Sequence, residues 1–283
     1  MDRSSPRHRA DVGLTAPDLG RPDTDLPAAD YRDGRAWAEG PQVVYDRLAT
    51  AAMRVLPHRL TGARALDVGA GTGSTTRELL RRGAAVVVVD RSPAMLCELR
   101  RQLSDSVPLV IGDICRLGIR DDTADVTVAA FVINHLADPV VGLQELRRVT
   151  RSGGRVLATT FGADDHPIKA AVDEVLIRYG FEHPAWYRTI KAGEVAPIST
   201  PAGLSAAGAQ AGLRRALVES VAVDLSDLPV SAAIGYRLGL AHIAPFIASL
   251  DAAVTDRLRA DLVATVAALP PLRLQMLVLT GRG

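Results

Sequence analysis

With 283 residues, 48% of them apolar, the chain holds enough hydrophobic material for one large domain or for a domain with a substantial insertion. A formal charge of +1 lacks the basic excess of a nucleic-acid-binding protein, so no nucleic-acid partner is expected. No apolar run approaches the roughly 20 residues of a membrane span, and Cys97 and Cys115 lack the spacing of a zinc site or disulfide framework. These features point to a cytoplasmic protein without a membrane partner.

Residues 1–30 carry Pro6, Pro17, Pro22 and Pro27 among Arg and Asp, and have no apolar signal core, which reads as a disordered arm. Tyr31, Trp37 and Tyr45 then flank the start of a helix expected over 41–56, whose Val43, Val44, Leu48, Ala51, Ala52 and Val55 recur at helical spacing. A strand over 64–68, a helix over 73–82 and a strand over 85–90 follow. Ser92 and Pro93 announce the next helix as N-cap and first helical residue. Strands over 109–112, 126–131 and 154–161, with a helix capped by Asp138-Pro139, continue the alternation. Such a rhythm implies an α/β fold with a doubly wound parallel sheet.

The rhythm breaks after residue 162. Residues 163–216 read as an insertion that serves as a substrate lid, with one helix over 168–180. Residues 217–283 complete the sheet with strands near 217–225 and 272–279. Between them lies a helical lid segment over 230–268, whose first helix (230–250) Pro245 should kink. The cofactor-binding core is thus expected over 31–162.

The stretch Asp67-Val68-Gly69-Ala70-Gly71-Thr72-Gly73 has glycine at every second position at the end of an apolar strand. Glycines there permit positive φ and let the backbone touch a ligand, while the following helix points free N–H groups at it. The dinucleotide pattern G-x-G-x-x-G would need a third glycine at Ser74 or Thr76, so the spacing speaks against a nicotinamide dehydrogenase, which stands as a third reading. Asp90 ends the next strand, where a carboxylate can bond both ribose hydroxyls. Asp113 and Ile114 end the one after. Each acid has a plainer alternative: Asp67 as a turn former, Asp90 and Asp113 as caps.

Asp67, Gly69, Gly71 and Gly73, then Asp90, Asp113, the Phe131–Pro139 segment and Leu146-Arg147-Arg148-Val149 running to Gly153-Gly154 resemble the class I S-adenosylmethionine-dependent methyltransferases, in their small-molecule, natural-product branch. Residues 40–161 carry this likeness. It implies a Rossmann-like sheet of seven strands with the last antiparallel, and S-adenosylmethionine as cofactor. It further implies a site of Asp67, Gly69, Ala70, Gly71, Gly73, Asp90, Arg91, Met95, Asp113, Ile114, Phe131 and Asn134, with Asp113 near the adenine amino group and Ile114 against its ring.

Base-methylating branches put Asn/Asp-Pro-Pro-aromatic after the fourth strand, where this chain has Asn134-His135-Leu136-Ala137. Metal-dependent branches need a carboxylate cluster there to hold Mg²⁺. Only Asn134 and Asp138 are present, so no catalytic metal is expected. His135, at the carboxyl end of that strand, suits a general base; alternatively it packs under the cofactor or caps a helix. Tyr31, Trp37, His166, Trp186, Tyr187 and Tyr236 are candidate substrate residues, and His183, His242 and Phe246 are further pocket candidates. The expected reaction is methyl transfer to O or N of a small, mainly apolar specialised metabolite, as in antibiotic biosynthesis. The alternative is a scaffold of this fold that binds the cofactor without transferring methyl, as a cyclase or structural partner. The oligomeric state is left open, a homodimer being one option.

Overall fold

Val86 and Val88 join the apolar core on one face of a sheet and Val87 and Val89 the core on the other, the period-two alternation of a strand buried on both sides. The computed structural model, which describes residues 31–163, 166–192 and 196–283, places this strand among seven; the arm expected over 1–30 lies outside the described residues. They are β1 (Arg64–Val68), β2 (Ala85–Asp90), β3 (Leu109–Ile111), β4 (Ala124–Ala130), β5 (Thr150–Phe161), β6 (Arg214–Asp224) and β7 (Arg273–Arg282). Their order is β3-β2-β1-β4-β5-β7-β6. The first five run parallel, and β7 lies antiparallel to both β5 and β6. The last strand is antiparallel, as expected of this Rossmann-like α/β sheet.

The helices are α1 (Gly34–Glu39), α2 (Gln42–Ala52), α3 (Ser74–Arg81), α4 (Pro93–Gln102), α5 (Pro139–Val149), α6 (Ile168–Arg178), α7 (Ala185–Ala192), α8 (Pro201–Gln210), α9 (Val230–Leu238), α10 (Ala244–Ser249) and α11 (Ala252–Ala267). One face of the sheet is covered through Leu48 of α2, Leu79 of α3, Leu99 of α4, Leu176 of α6, Ile234 of α9 and Leu262 of α11, all buried in one core. The other face is covered by α5 and α8, through Leu143, Leu146 and Leu204. Both N-terminal stops read from the sequence are formed: Ser92 Oγ accepts the Met95 N–H at 3.2 Å, and Asp138 Oδ1 accepts the Val140 N–H at 2.8 Å.

Several boundaries depart from expectation. The helix expected to reach 56 ends at Ala52 and tightens into a 3₁₀ turn over Met53–Val55. β5 begins four residues early at Thr150, because Ala124 extends β4 and pairs with it ahead of a register shift. The helix expected over 230–250 is two helices. Pro245 does not kink it; it sits in the first turn of α10, where its missing N–H costs nothing, and the chain turns between Gly239 and Ile243. Of residues 163–216, α8 packs on β6, β7 and α5, while α6 packs against α11 and α9.

Candidate functional site

The order of parallel strands reverses between β1 and β4, and their carboxyl ends open the crevice in which open α/β sheets hold ligands. β1 delivers Asp67 and then a turn through Gly69, Gly71 and Gly73, all at positive φ. A Cβ on Gly69 would collide with Val132, and one on Gly73 with Leu99. On Gly71, at φ 55, it would meet nothing within 4 Å, so only Gly71 presents bare backbone to open space. Gly69 and Gly73 are required by packing.

Asp90 closes the cradle from β2. Its Oδ2 accepts the Gly71 N–H at 2.7 Å and its Oδ1 the Ser92 N–H at 2.8 Å, leaving a lone pair on each oxygen. Burial raises its pKa against the pull of these backbone donors. Asp67 lies behind the turn, 1% exposed, where its Oδ2 accepts the Thr76 hydroxyl at 2.5 Å. Its Oδ1 meets no donor among the described residues. Burial first, and the charge of Asp90 in addition, push its carboxyl up to about 7.

Two cavities meet over these strand ends. The first is lined by Gly69, Ala70, Gly71, Asp90, Arg91 and Met95 on the β1–β2 side and by Asp113, Ile114, Phe131 and Val132 beyond them. Asp113 also accepts the Cys115 N–H at 2.8 Å, so it shapes its own turn as well. Phe131 holds φ 58, a strained value for a bulky residue, with its N–H bonded to Thr159. The twist lays its ring 4.5 Å from that of Phe161 and 5.3 Å from that of Tyr45.

The second cavity is lined by Asn134, Thr160, Phe161, Lys169, Trp186, Tyr187, Tyr236, Arg237 and His242. Tyr187 stacks on His242 at 3.9 Å and on His183 at 4.9 Å, and the two imidazoles lie 5.9 Å from each other. Tyr31, Trp37, Tyr45 and His135 line both cavities. The Tyr31 hydroxyl lies 3.1 Å from His135 Nε2, and the Asn134 amide nitrogen lies 3.3 Å from the same atom. Burial, and then Asp90, raise the Tyr31 pKa, so it meets His135 as a neutral phenol. Tyr31 is in turn tied down by its carbonyl, which accepts from Ser92 Oγ at 2.6 Å.

The structure brings together most residues singled out from the sequence, with six placed differently. Asp67 and Gly73 support the turn from behind, Asn134 lines the second cavity and not the first, and His166, His183 and Phe246 line neither. His166 caps α6 by accepting the Ile168 N–H at Nδ1 and meets the Pro270 carbonyl at 3.1 Å, and it lines neither cavity. Sequence reasoning missed Arg237, Lys169 and the lining role of Tyr45. Arg237 is a lone cation in a helix, a pattern that ordinarily reads as a solvated face. Among the described residues no group of three His, Cys, Asp or Glu side chains could hold a metal ion, and no helix is long and apolar enough to cross a membrane.

Residues 66–158 match the methyltransferase domain family. A malonyl-[acyl-carrier protein] O-methyltransferase of Halorhodospira halophila is 36% identical over 165 residues, 55% of each chain. The demethylmenaquinone methyltransferase of Mycobacterium tuberculosis is 38% identical over 136 residues, 47% of this chain and 55% of its own. The matched region thus spans about half the length of these curated relatives. Phosphoethanolamine N-methyltransferase 2 of Haemonchus contortus, solved with S-adenosyl-L-methionine, superposes with a TM-score of 0.52 at 18% identity, covering 83% of this chain and 51% of that one. A protein of an antibiotic biosynthesis pathway from Anabaena variabilis superposes at 0.55 and 18% identity, covering 82% and 96%. At this identity the structural likenesses concern the fold.

Proposed function

This chain carries a class I S-adenosylmethionine-dependent methyltransferase domain, and we propose that with it the protein methylates an oxygen or nitrogen of a small, mainly apolar specialised metabolite. The observation that carries the reading is the pair of cavities sharing Tyr31, Trp37, Tyr45 and His135: a donor held in the first would meet an acceptor in the second at those four side chains. The fit to the donor rests on the bare backbone at Gly71, the lone pairs of Asp90 beside it, and the apolar Ile114 and Met95 walls. Bound there, S-adenosylmethionine supplies an already activated methyl group on a sulfonium.

The residues then position and dry. Asp90 would accept from the ribose hydroxyls, and Asp113 with Ile114 would flank the adenine. Trp37 and Tyr45, with ring centres 4.9 Å apart, offer π-faces to a cation at the junction. Fixing the acceptor about 3 Å from the methyl is worth roughly 7–11 kcal/mol. His135 Nε2 takes the proton of a hydroxyl acceptor that displaces the Tyr31 phenol. Trp186, Tyr187 and Tyr236 pack on the apolar body of the acceptor.

Incubation with methyl-deuterated donor and a panel of small aromatic metabolites tests this reading. Release of S-adenosylhomocysteine, with a deuterated methyl appearing on an O or N of one compound, is expected. Donor bound tightly but never consumed would favour a scaffold that holds the cofactor without transferring methyl.

A further inference from the structure

Arg237 stands out when set beside Arg82, the other deeply buried arginine among the described residues. Both are 5% exposed. Arg82 is saturated: Nε and one terminal nitrogen donate to Glu78 at 3.1 and 2.8 Å, and the other terminal nitrogen donates to the Leu56 and Pro57 carbonyls. Arg237 makes one long hydrogen bond, 3.4 Å to Asp173 Oδ1, its guanidinium carbon lies 5.8 Å from the centre of the Tyr236 ring, and its Nε–H is buried with no acceptor among the described residues. Asp173 itself is shared with His183 Nε2, also at 3.4 Å. A guanidinium taken out of water needs close, charge-assisted partners at about 2.7–2.9 Å. Here they are missing on the residue that lines the acceptor cavity, whose described lining contains no Asp or Glu.

We propose that Arg237 is a specificity residue that receives a carboxylate carried by the acceptor, so that the substrate is an apolar, ring-bearing acid held through its anionic end and methylated elsewhere. The proposal rests on the methyl-transfer reading above. A carboxylate would supply two oxygens to the planar fork, satisfying Nε and a terminal nitrogen together. The surrounding Tyr236, Tyr187, Trp186 and Phe161 rings would take the apolar body.

Both tryptophans of the chain, Trp37 and Trp186, line this cavity, so their fluorescence reports its filling. The test titrates protein loaded with S-adenosylhomocysteine with 3-phenylpropionate and with its isosteric primary amide, 3-phenylpropanamide. The acid is expected to bind at least about tenfold tighter than the amide, as befits hydrogen bonds to a charged group. In Arg237→Gln that preference should vanish while S-adenosylhomocysteine still binds. If that variant does not fold, Arg237→Lys should weaken the acid and spare the amide. Equal binding of the two probes by the wild type, no binding of either at millimolar concentration, or a preference that survives loss of Arg237 would overturn the proposal. Failure of the wild type to bind S-adenosylhomocysteine would instead contradict the methyl-transfer reading beneath it.

Discussion

His135 is the side chain whose replacement separates proton transfer from positioning. If the acceptor is a hydroxyl, His135→Ala is expected to lower turnover by about 10²–10⁴-fold while sparing donor affinity. A loss under about fivefold, with an unaltered pH–rate profile, would take it out of the chemistry and favour an amine acceptor. Asp67 gives a prediction for stability. Its folded-state pKa of about 7 lies above the ordinary 3.8, so the folded protein binds the proton more tightly than the unfolded chain. The stability this confers is present at low pH and is lost as pH rises from 3.8 to about 7. Asp67→Asn keeps the acceptor for Thr76 and should remove that decline, which thermal melts of both proteins across the range will reveal; parallel pH profiles would contradict it. Residue types and strand ends were enough to propose Asp90, Asp113 and His135 from sequence. That Asp67 supports the turn from behind, or that His166 spends both nitrogens on α6 and Pro270, depends on directions that spacing does not encode.

At the scale of elements, the turn from β2 into α4 joins the two halves of the site. Ser92 caps α4 through Met95 and holds the Tyr31 carbonyl, so one hydroxyl anchors both a helix that lines the first cavity and the phenol beside His135. Ser92→Ala is expected to cost about 0.5–2 kcal/mol of stability, the usual price of an N-cap. It should also weaken acceptor binding more than donor binding, since Tyr31 is released. Calorimetry of unfolding together with probe titration checks this, and a stability loss with acceptor binding unchanged would sever Tyr31 from the acceptor site. Elements with strong local signals were legible: Ser92-Pro93, Asp138-Pro139 and the valine run of β2 all form where spacing puts them. The split of α9 from α10 was not, because Pro245 fits a helix start as well as a kink, and packing around Gly239 decides between them.

Over the whole molecule, the sheet order turns separate local patterns into one site. Residues as distant in sequence as Tyr31, Asp90, His135 and Arg237 line adjoining cavities only because β1 and β4 are neighbours and α9 folds back over their ends. Alternation of strands and helices was readable through residue 161, since each βα unit is a local event. The assembly of the second cavity was not, since α6, α7 and α9 meet there by long-range packing with no repeating pattern, although Trp186, Tyr187 and Tyr236 were named as single residues. The central claim is that the Gly69–Gly73 turn and Asp90 hold the methyl donor. Calorimetric titration of S-adenosylmethionine into the wild type and Asp90→Ala tests it most directly. Saturable one-to-one binding is expected, weakened in the variant by about 1.5–3 kcal/mol, the worth of hydrogen bonds to a charged group. No binding at millimolar donor, or equal affinity in the two proteins, would contradict it.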